Sequence, residues 1–259
     1  MTQTTRQVLL LVLPLTLALS GCGPKPPQPK TEAPAQTTAG PTSAGLDTQS
    51  SSPDRATSDS FPGDRSARPG HRHASNSTAG AFDFYLLNLS WSPEYCATHG
   101  SAPECSLHLT FTLHGLWPQN NDGTFPERCS SAPGPSDPSQ YSDIYPDPGL
   151  LQHEWQTHGT CSGLSADAFL QLARRATHLV KTPSQLATLT RPTSLPPNQI
   201  LGLVAQANPT LSARSLAHTC GSNFLTAVEH CLDKNLNPIA CPNIPSCGAN
   251  SVRIPPPSH

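Results

Sequence analysis

Alternating apolar and polar positions predict three β-strands in this chain. Residues 82–91 are aromatic and apolar, as is typical of a first strand. Residues 107–114 alternate leucine or phenylalanine with histidine or threonine, so we expect a strand that ends at Gly115 and carries His114 at its tip. Residues 224–232 are also rich in strand-forming side chains and predict a third strand late in the chain.

Helical periodicity predicts three helices between the second and third of these strands. The first covers residues 150–158 and is stopped by Gly159. The second starts after Ser165, a suitable N-cap, and shows an apolar stripe that continues to Val180. The third covers residues 198–207. Because helices and strands are mixed without a regular β–α alternation, the predicted fold class is α+β.

The first 21 residues are typical of an export signal rather than of a folded domain. An apolar run covers residues 9–19, which is too short for a comfortable transmembrane helix. The letters LSGC follow at residues 19–22 and resemble a bacterial lipoprotein box, in which the cysteine becomes the lipidated N-terminus. We therefore predict a lipoprotein-type signal peptide at residues 1–21, with lipidation of Cys22. An ordinary signal peptide with a chance cysteine is the alternative.

Residues 22–80 are rich in Pro, Ser, Thr, Ala and Gly and show no helical or strand period. Such a composition cannot bury enough apolar surface to offset its ordering entropy, so it predicts a disordered tether. His71 and His73 lie in this tether and are expected to be solvated rather than bound to a metal. The folded domain is predicted at residues 81–253, and residues 254–259 are predicted to be a disordered tail.

Charge and cysteine content restrict the class of the folded domain. Residues 81–259 contain 8 Lys and Arg against 12 Asp and Glu, a net charge of −4. This excludes a protein that holds nucleic acid by neutralising its phosphates. Of the nine cysteines, eight follow residue 81, and no CxxC pair is present to nucleate a metal site. An even number in an exported domain predicts four disulfides, although spacing alone leaves their pairing open.

Two short segments contain most of the chemistry: FTLHGLWP at residues 111–118 and HEWQTHGTC at residues 153–161. Histidine changes its charge near physiological pH, so paired histidines can donate and accept protons in one reaction. On a helix, Glu154 and His158 are four residues apart and share a face, with His153 beside them. This spacing differs from the HExxH of zinc proteases, so we expect no metal here.

The two segments resemble the active-site segments of the ribonuclease T2 family. The resemblance continues in SWSP at residues 90–93, in Cys96 and in the cysteine-rich C-terminal part, and it covers residues 82–253. It implies a single disulfide-bonded α+β domain with a central, mostly antiparallel sheet flanked by helices. It also implies an endoribonuclease without cofactor that cleaves single-stranded RNA through a 2′,3′-cyclic phosphate to 3′-phosphate ends. RNA would be a transient substrate, and the protein a monomer.

The resemblance implies a role for each residue at a matching position of the motifs. His158 is expected to be the general base and His114 the general acid, each contributing about 10²–10⁴-fold to the rate. Glu154 is expected to stabilise the transition state or its proton transfers. His153 is expected to contact phosphate, and Trp117 to stack a base.

Two positions depart from the family pattern. Thr157 stands where members often have a lysine, so a permanent cation near the phosphate is missing. This predicts weaker stabilisation of the transition state, or compensation by protonated His153. Gln119 stands where some members have an aspartate that recognises the base, so a base preference is not implied. Trp91 and Trp155 are expected to lie in the core.

The resemblance also implies how the cysteines pair. One disulfide would join the central loop to the end of the catalytic helix, two would close the C-terminal region, and one would close a local loop. In that order they are Cys129–Cys161, Cys231–Cys241 with Cys220–Cys247, and Cys96–Cys105.

The main hypothesis is therefore an exported endoribonuclease that is lipid-anchored at the cell envelope, at the outer membrane or in the periplasm, or that is extracellular. The alternative is a weakly active or inactive RNA-binding surface lipoprotein with the same fold, which the turnover of a Thr157→Lys variant would distinguish. A purely structural lipoprotein would require both motifs to be coincidental. Base preference, pH optimum and cellular RNA target are not determined by these patterns.

Overall fold

The computed structural model describes residues 72–74 and 77–257, in which helices and strands are mixed as predicted. Its strands are β1 Arg72–His73, β2 Phe84–Trp91, β3 Phe111–Gln119, β4 Thr124–Phe125, β5 Thr193–Leu195, β6 Leu216–Gly221, β7 Phe224–Leu232 and β8 Val252–Ile254. Its α-helices are α1 Ser92–Thr98, α2 Pro148–Thr157, α3 Ala166–His178, α4 Ser184–Ala187 and α5 Pro197–Ala207. The predicted α+β class is confirmed.

A six-stranded sheet forms the centre of the fold, in the order β3-β2-β7-β8-β5, with β6 paired to β7. All its neighbouring strands are antiparallel except β7 and β8. The prediction of a mostly antiparallel sheet is therefore confirmed. Strands β1 and β4 form a separate parallel pair.

Strand β2 is covered on both of its faces, which explains why it is aromatic and apolar almost throughout. Its odd-numbered residues, such as Tyr85 and Leu87, pack in a cluster with Phe169 and other apolar residues of α3. Its even-numbered residues, such as Phe84 and Leu86, pack in a second cluster on the other face. Because β2 lies between β3 and β7, it holds the site-bearing strand β3 against the core.

The predicted strand at residues 107–114 is wrong in its position. Residues Pro103–Leu107 form a 3₁₀-helix, and His108 follows with a φ of 50° in the left-handed region. The strand begins only at Phe111 and continues to Gln119, so His114 lies in its interior rather than at its tip. The residues before Phe111 alternate between apolar and polar types, but they do not form a strand, and Leu107 is exposed.

Helix α2 starts two residues before its predicted beginning. Asp147 is its N-cap, and the carboxylate accepts a hydrogen bond from the backbone N–H of Gly149. The predicted N-cap of α3 is confirmed, because the Ser165 side chain accepts a hydrogen bond from the Ala168 N–H. The α3 stripe from Phe169 onward packs against the sheet as its periodicity indicated.

Both predicted ends of the folded domain are wrong by several residues. Arg72–His73 pairs with Thr124–Phe125, so the segment before residue 81 is partly structured. The ring of His73 is still 57% exposed, but it forms an ion pair with Glu127 at 3.0 Å. At the other end Ile254 is fully buried in β8.

The predicted C-terminal tail is anchored by a hydrogen bond to the core. The Trp91 indole donates to the Pro255 carbonyl at 3.0 Å, so a disordered tail does not start at residue 254. The predicted signal peptide, the lipidation of Cys22 and most of the tether lie outside the described residues. Within the described ranges no helix is both long and apolar enough to cross a bilayer.

All four predicted disulfides are present. The Cys129–Cys161 bond ties the central loop to the short 3₁₀-helix Gly159–Cys161, which directly follows His158. The other three are Cys96–Cys105, Cys220–Cys247 and Cys231–Cys241.

Candidate active site

The strand wall of the candidate site is the interior of β3. The pairing of β2 with β3 is irregular here, because Asn88 pairs with Gly115 whereas Leu89 pairs with Leu113. His114 is thus the extra residue of a β-bulge. Bulges re-aim a side chain and are frequent next to active sites. This explains how the imidazole departs from the regular alternation of the strand.

Glu154 of α2 lies at the centre of the site and is 1% exposed. The indole N–H of Trp117 donates to its Oε2 at 2.7 Å, and its Oε1 lies 3.4 Å from His114 Nε2. A side chain at Gly115 would overlap both Glu154 Oε2 and Trp117 Nε1. The glycine of the first motif therefore makes room for the glutamate of the second.

The helix wall of the site ends in His158. This residue is the C-cap of α2, and its backbone N–H donates to the Glu154 carbonyl at 3.0 Å. Its ring centroid lies 5.2 Å from that of Trp117, and the His114 ring lies 5.4 Å from the same indole. Trp117 thus contacts both imidazoles and fixes the separation between the two walls.

His153 lies at the edge of the same cluster and is half-buried. Its ring centroid is 6.4 Å from that of His158. Ligand-type atoms of His153, Glu154 and His158 all lie within 4.8 Å of one another, so these are the residues that could hold a metal ion. Two imidazoles and a carboxylate are equally suited to proton transfer and, with a protonated imidazole, to contact with a phosphate.

Two contacts of this cluster were not predicted. The Ser90 hydroxyl lies 3.3 Å from His114 Nδ1 and so orients the ring that faces Glu154 through its other nitrogen. Tyr145 is buried, and burial together with the negative charge of Glu154 raises its pKa well above the usual value. A neutral phenol therefore lies close to the carboxylate. Ser90 lies in the SWSP segment, which was a usable signal, whereas Tyr145 lies in the loop before α2 and had none.

The three tryptophans pack in three different apolar clusters. Trp91 and Trp155 lie in the core as predicted. Trp117 is only 1% exposed and packs with Phe84 and Leu86, so its observed contacts make it the residue that holds Glu154. Base stacking by Trp117 stays a prediction.

The two positions that depart from the family pattern are both buried. Thr157 is 3% exposed, and its carbonyl accepts a hydrogen bond from the Arg128 N–H. The Gln119 amide donates to the carbonyl of Pro118. Neither position presents a charged group to the cluster.

Comparison with known proteins agrees with this geometry. The family model of the ribonuclease T2 family matches residues 82–241, which contain both histidine segments. This chain belongs to the ribonuclease T2 family. A ribonuclease of Aeromonas hydrophila is 36% identical over 183 residues, which cover 66% of this chain and 84% of that protein. Ribonuclease DdI of Dictyostelium discoideum is 29% identical, with 70% of this chain and 87% of that protein covered.

Solved structures of the ribonuclease T2 family share the fold. Ribonuclease MC1 from bitter gourd seeds superposes with a TM-score of 0.55 at 23% identity, covering 66% of this chain and 99% of that one. A ribonuclease-related protein from Calystegia sepium gives a TM-score of 0.53 at 22% identity, covering 67% of this chain and 97% of that one. The predicted family and the enzyme class, a T2-type endoribonuclease, are confirmed by the family match.

Proposed function

We propose that this ribonuclease T2 family member cleaves single-stranded RNA without a metal, through a 2′,3′-cyclic phosphate that is then hydrolysed to a 3′-phosphate. The observation that carries the proposal is the contact between His114, Glu154 and Trp117, with the His158 ring centroid 5.2 Å from that of the same indole. Two imidazoles supply a proton acceptor and a proton donor within one cleft.

In the first step His158 removes the proton from the ribose 2′-OH, and the oxygen attacks the adjacent phosphorus. The bond from phosphorus to the 5′-oxygen breaks, and His114 donates a proton to that leaving oxygen. In the second step the roles reverse: His114 removes a proton from water, the hydroxide opens the cyclic phosphate, and His158 returns the proton to the 2′-oxygen. The requirement for a 2′-OH selects RNA over DNA.

The charged groups of the cluster have separate tasks in this reaction. Glu154 Oε1 lies 3.4 Å from His114 Nε2, so its charge stabilises the imidazolium that must donate the proton. His153 lies at the half-buried edge, where a protonated ring can contact the phosphate. With Thr157 in place of a lysine, His153 is the cation source next to His158.

We further propose that the enzyme is exported and works as a monomer in an oxidising compartment, held at the cell envelope by a lipid on Cys22. The four disulfides support an oxidising compartment. The net charge of −4 over residues 81–259 supports RNA as a transient substrate rather than a permanently bound partner.

The proposed function is tested by digestion of total RNA in the presence of EDTA, with identification of the terminal phosphate. We expect cleavage by the unaltered protein, and 2′,3′-cyclic and 3′-phosphate ends. His114→Ala and His158→Ala should each lower kcat/KM by about 10²–10⁴-fold.

His178→Ala is the matched control, because His178 is exposed at the end of α3. It should leave the rate unchanged. Full activity in both active-site variants, or 5′-phosphate products, would contradict the mechanism.

A further inference from the structure

A pocket with a volume of about 390 Å³ opens between α3 and the residues at the start of β2. We call it the α3 pocket and define it by the side chains that shape it: Phe82, Tyr85, Leu164, Leu172, Arg175 and Lys234. His114, Glu154 and His158 do not line it. The reaction chemistry therefore gives no reason for this pocket.

The lining of the α3 pocket combines apolar surface with positive charge. Phe82 and Leu172 are buried apolar side chains, whereas Leu164 is 41% exposed at the wall. Arg175 and Lys234 are exposed, and none of the described residues that line the pocket is Asp or Glu. Such a lining fits an apolar group that is flanked by negative charges.

The chain that leads into the folded domain runs along the rim of the α3 pocket. The Lys234 ammonium donates to the Gly80 carbonyl at 3.2 Å and lies 4.0 Å from the centroid of the Phe82 ring. The Gly80 N–H donates to the Cys161 carbonyl at 2.8 Å. Gly80 is thus fixed beside the pocket by contacts on both of its backbone polar groups.

The sequence before Gly80 contains one segment that matches this lining. Phe61 is the only Phe, Tyr or Trp in residues 23–80, and Leu46 is the only other large apolar side chain there. Phe61 has an acidic residue on each side, Asp59 and Asp64. Residues 59–64 lie outside the described residues, so the match is one of chemistry and chain length.

The connecting chain is long enough for Phe61 to reach the α3 pocket. An extended chain spans at most about 3.6 Å per residue. Ala74 precedes Gly80 by six residues and is therefore at most about 22 Å from the rim of the pocket. Phe61 precedes Arg72 by eleven residues, which span up to about 40 Å. The chain can therefore return from the paired residues Arg72–His73 to the pocket.

We propose that the α3 pocket binds residues 59–64 of the same chain, with Phe61 against the apolar lining and the two aspartates beside Lys234 and Arg175. Because the segment is tethered to the domain, its effective concentration is in the millimolar range, so a weak contact is sufficient for docking. The free part of the tether then ends at residue 58 instead of residue 71, which shortens the reach of the domain.

The proposal is tested by limited digestion of the full-length native protein with trypsin, with the fragments identified by mass spectrometry. Trypsin can cut the tether after Arg65, next to the docked segment, and after Lys30, far from it. The rate at Arg65 divided by the rate at Lys30 reports the undocked fraction. We expect Phe61→Ser to raise this ratio by about tenfold, the effect of exposing one phenylalanine side chain. Leu46→Ser is the matched control and should leave the ratio unchanged.

Two variants of the pocket test the other partner of the contact. Leu164→Ser removes exposed apolar surface and should raise the ratio by about fivefold. Arg175→Gln removes one exposed charge and should raise it by about two- to threefold, less at high salt. Arg191→Gln is the control for the charge, because Arg191 is exposed and does not line the pocket. Urea unfolding should give the same midpoint for all three variants.

The outcomes separate this contact from its alternatives. An equal ratio in the unaltered protein and in Phe61→Ser, or an equal rise in Leu46→Ser, would overturn the docking of Phe61. A rise in Phe61→Ser alone, with Leu164→Ser and Arg175→Gln unchanged, would place the segment on another surface and overturn the assignment to the α3 pocket. Protection at Arg65 that disappears on dilution would mean that the segment of a second copy fills the pocket. Since no RNA is present, none of these results depends on the proposed function.

Discussion

Buried histidines occur at two places in the fold, and their surroundings differ. His114 on β3 and His158 after α2 are 4% and 2% exposed, and His230 on β7 is 0% exposed. Strand β2 separates the two places, since it pairs with β3 on one side and with β7 on the other. Burial therefore does not distinguish a histidine of the site from a histidine of the core.

Among the described residues, the difference between His114 and His230 is a carboxylate in contact with the imidazole ring. His114 Nε2 lies 3.4 Å from Glu154 Oε1, and a nearby negative charge favours the imidazolium. Burial alone lowers the pKa of His230 to about 4, so this ring stays neutral at physiological pH. A buried imidazole can exchange protons at neutral pH where a negative charge lies beside it, whereas burial without such a charge keeps it neutral.

The largest effect is expected when the counter-charge is removed from the active site. Glu154→Gln keeps the size of the side chain and an acceptor for the Trp117 indole, but a neutral amide does not stabilise the imidazolium of His114. We expect kcat/KM on RNA to fall by about 10²–10⁴-fold, with the free energy of unfolding changed by less. Steady-state kinetics and urea unfolding measure the two quantities.

Glu229→Gln provides the matched control for this change. Glu229 is a fully buried carboxylate of β7 that accepts a hydrogen bond from Asn88 at 3.1 Å. A glutamine can still accept from Asn88, so activity should stay within about threefold. If kcat/KM fell equally in Glu154→Gln and Glu229→Gln, the effect would not depend on contact between the carboxylate and His114. The proposed difference between the two places would then be contradicted.

The second prediction concerns His230, the buried histidine whose pKa is lowered by burial. His230 has an unfolded pKa near 6.5 and a folded pKa of about 4, so the unfolded chain binds the additional proton first. Stability is therefore full above pH 6.5 and is lost as the pH falls toward 4, by about 3 kcal/mol at most. His230→Leu should remove this loss, as measured by urea unfolding at pH 7 and pH 4.

His178→Leu is the comparison for the His230 variant, because His178 is exposed on α3. It should retain the loss of stability between pH 7 and pH 4. An unchanged loss in His230→Leu would show that carboxylates elsewhere cause the acid sensitivity.

The smallest effect is expected at the residue that links the two imidazoles. Trp117→Phe keeps an aromatic ring but removes the N–H that donates to Glu154 Oε2 at 2.7 Å. A hydrogen bond to a charged group contributes about 1.5–3 kcal/mol, so we expect kcat/KM to fall by about 10- to 100-fold. Trp155→Phe, which loses a hydrogen bond to the Ala132 carbonyl outside the cluster, should leave kcat/KM unchanged. A larger loss in Trp155→Phe would show that both variants act through stability.

The predicted site residues of the second segment lie together because that segment is local. His153, Glu154 and His158 share one helix, and its period was sufficient to place them side by side. The Ser165 N-cap and the strand Phe224–Leu232 were likewise determined by neighbouring residues. Local patterns were reliable where hydrogen bonds close within a few residues.

Some predictions from local patterns were wrong. The alternation before Phe111 indicated a strand, but a left-handed His108 and a 3₁₀-helix occupy that segment. The tail was expected to be disordered, but Ile254 pairs with Thr193 in the sheet. The pairing of Ile254 with Thr193 joins segments far apart in the chain, which a local period does not report.

The amino-acid sequence by itself was sufficient to predict the family, the enzyme class and the four disulfides. Only the tertiary structure decided that a β-bulge turns His114 toward Glu154, and that Gly115 leaves room for that carboxylate. It also decided that Trp117 holds Glu154. The physical reason is that residue type determines whether a side chain can bind or release a proton. The free energy of that proton transfer also depends on the distance to the nearest opposite charge. That distance is set by packing between elements that are far apart in the chain.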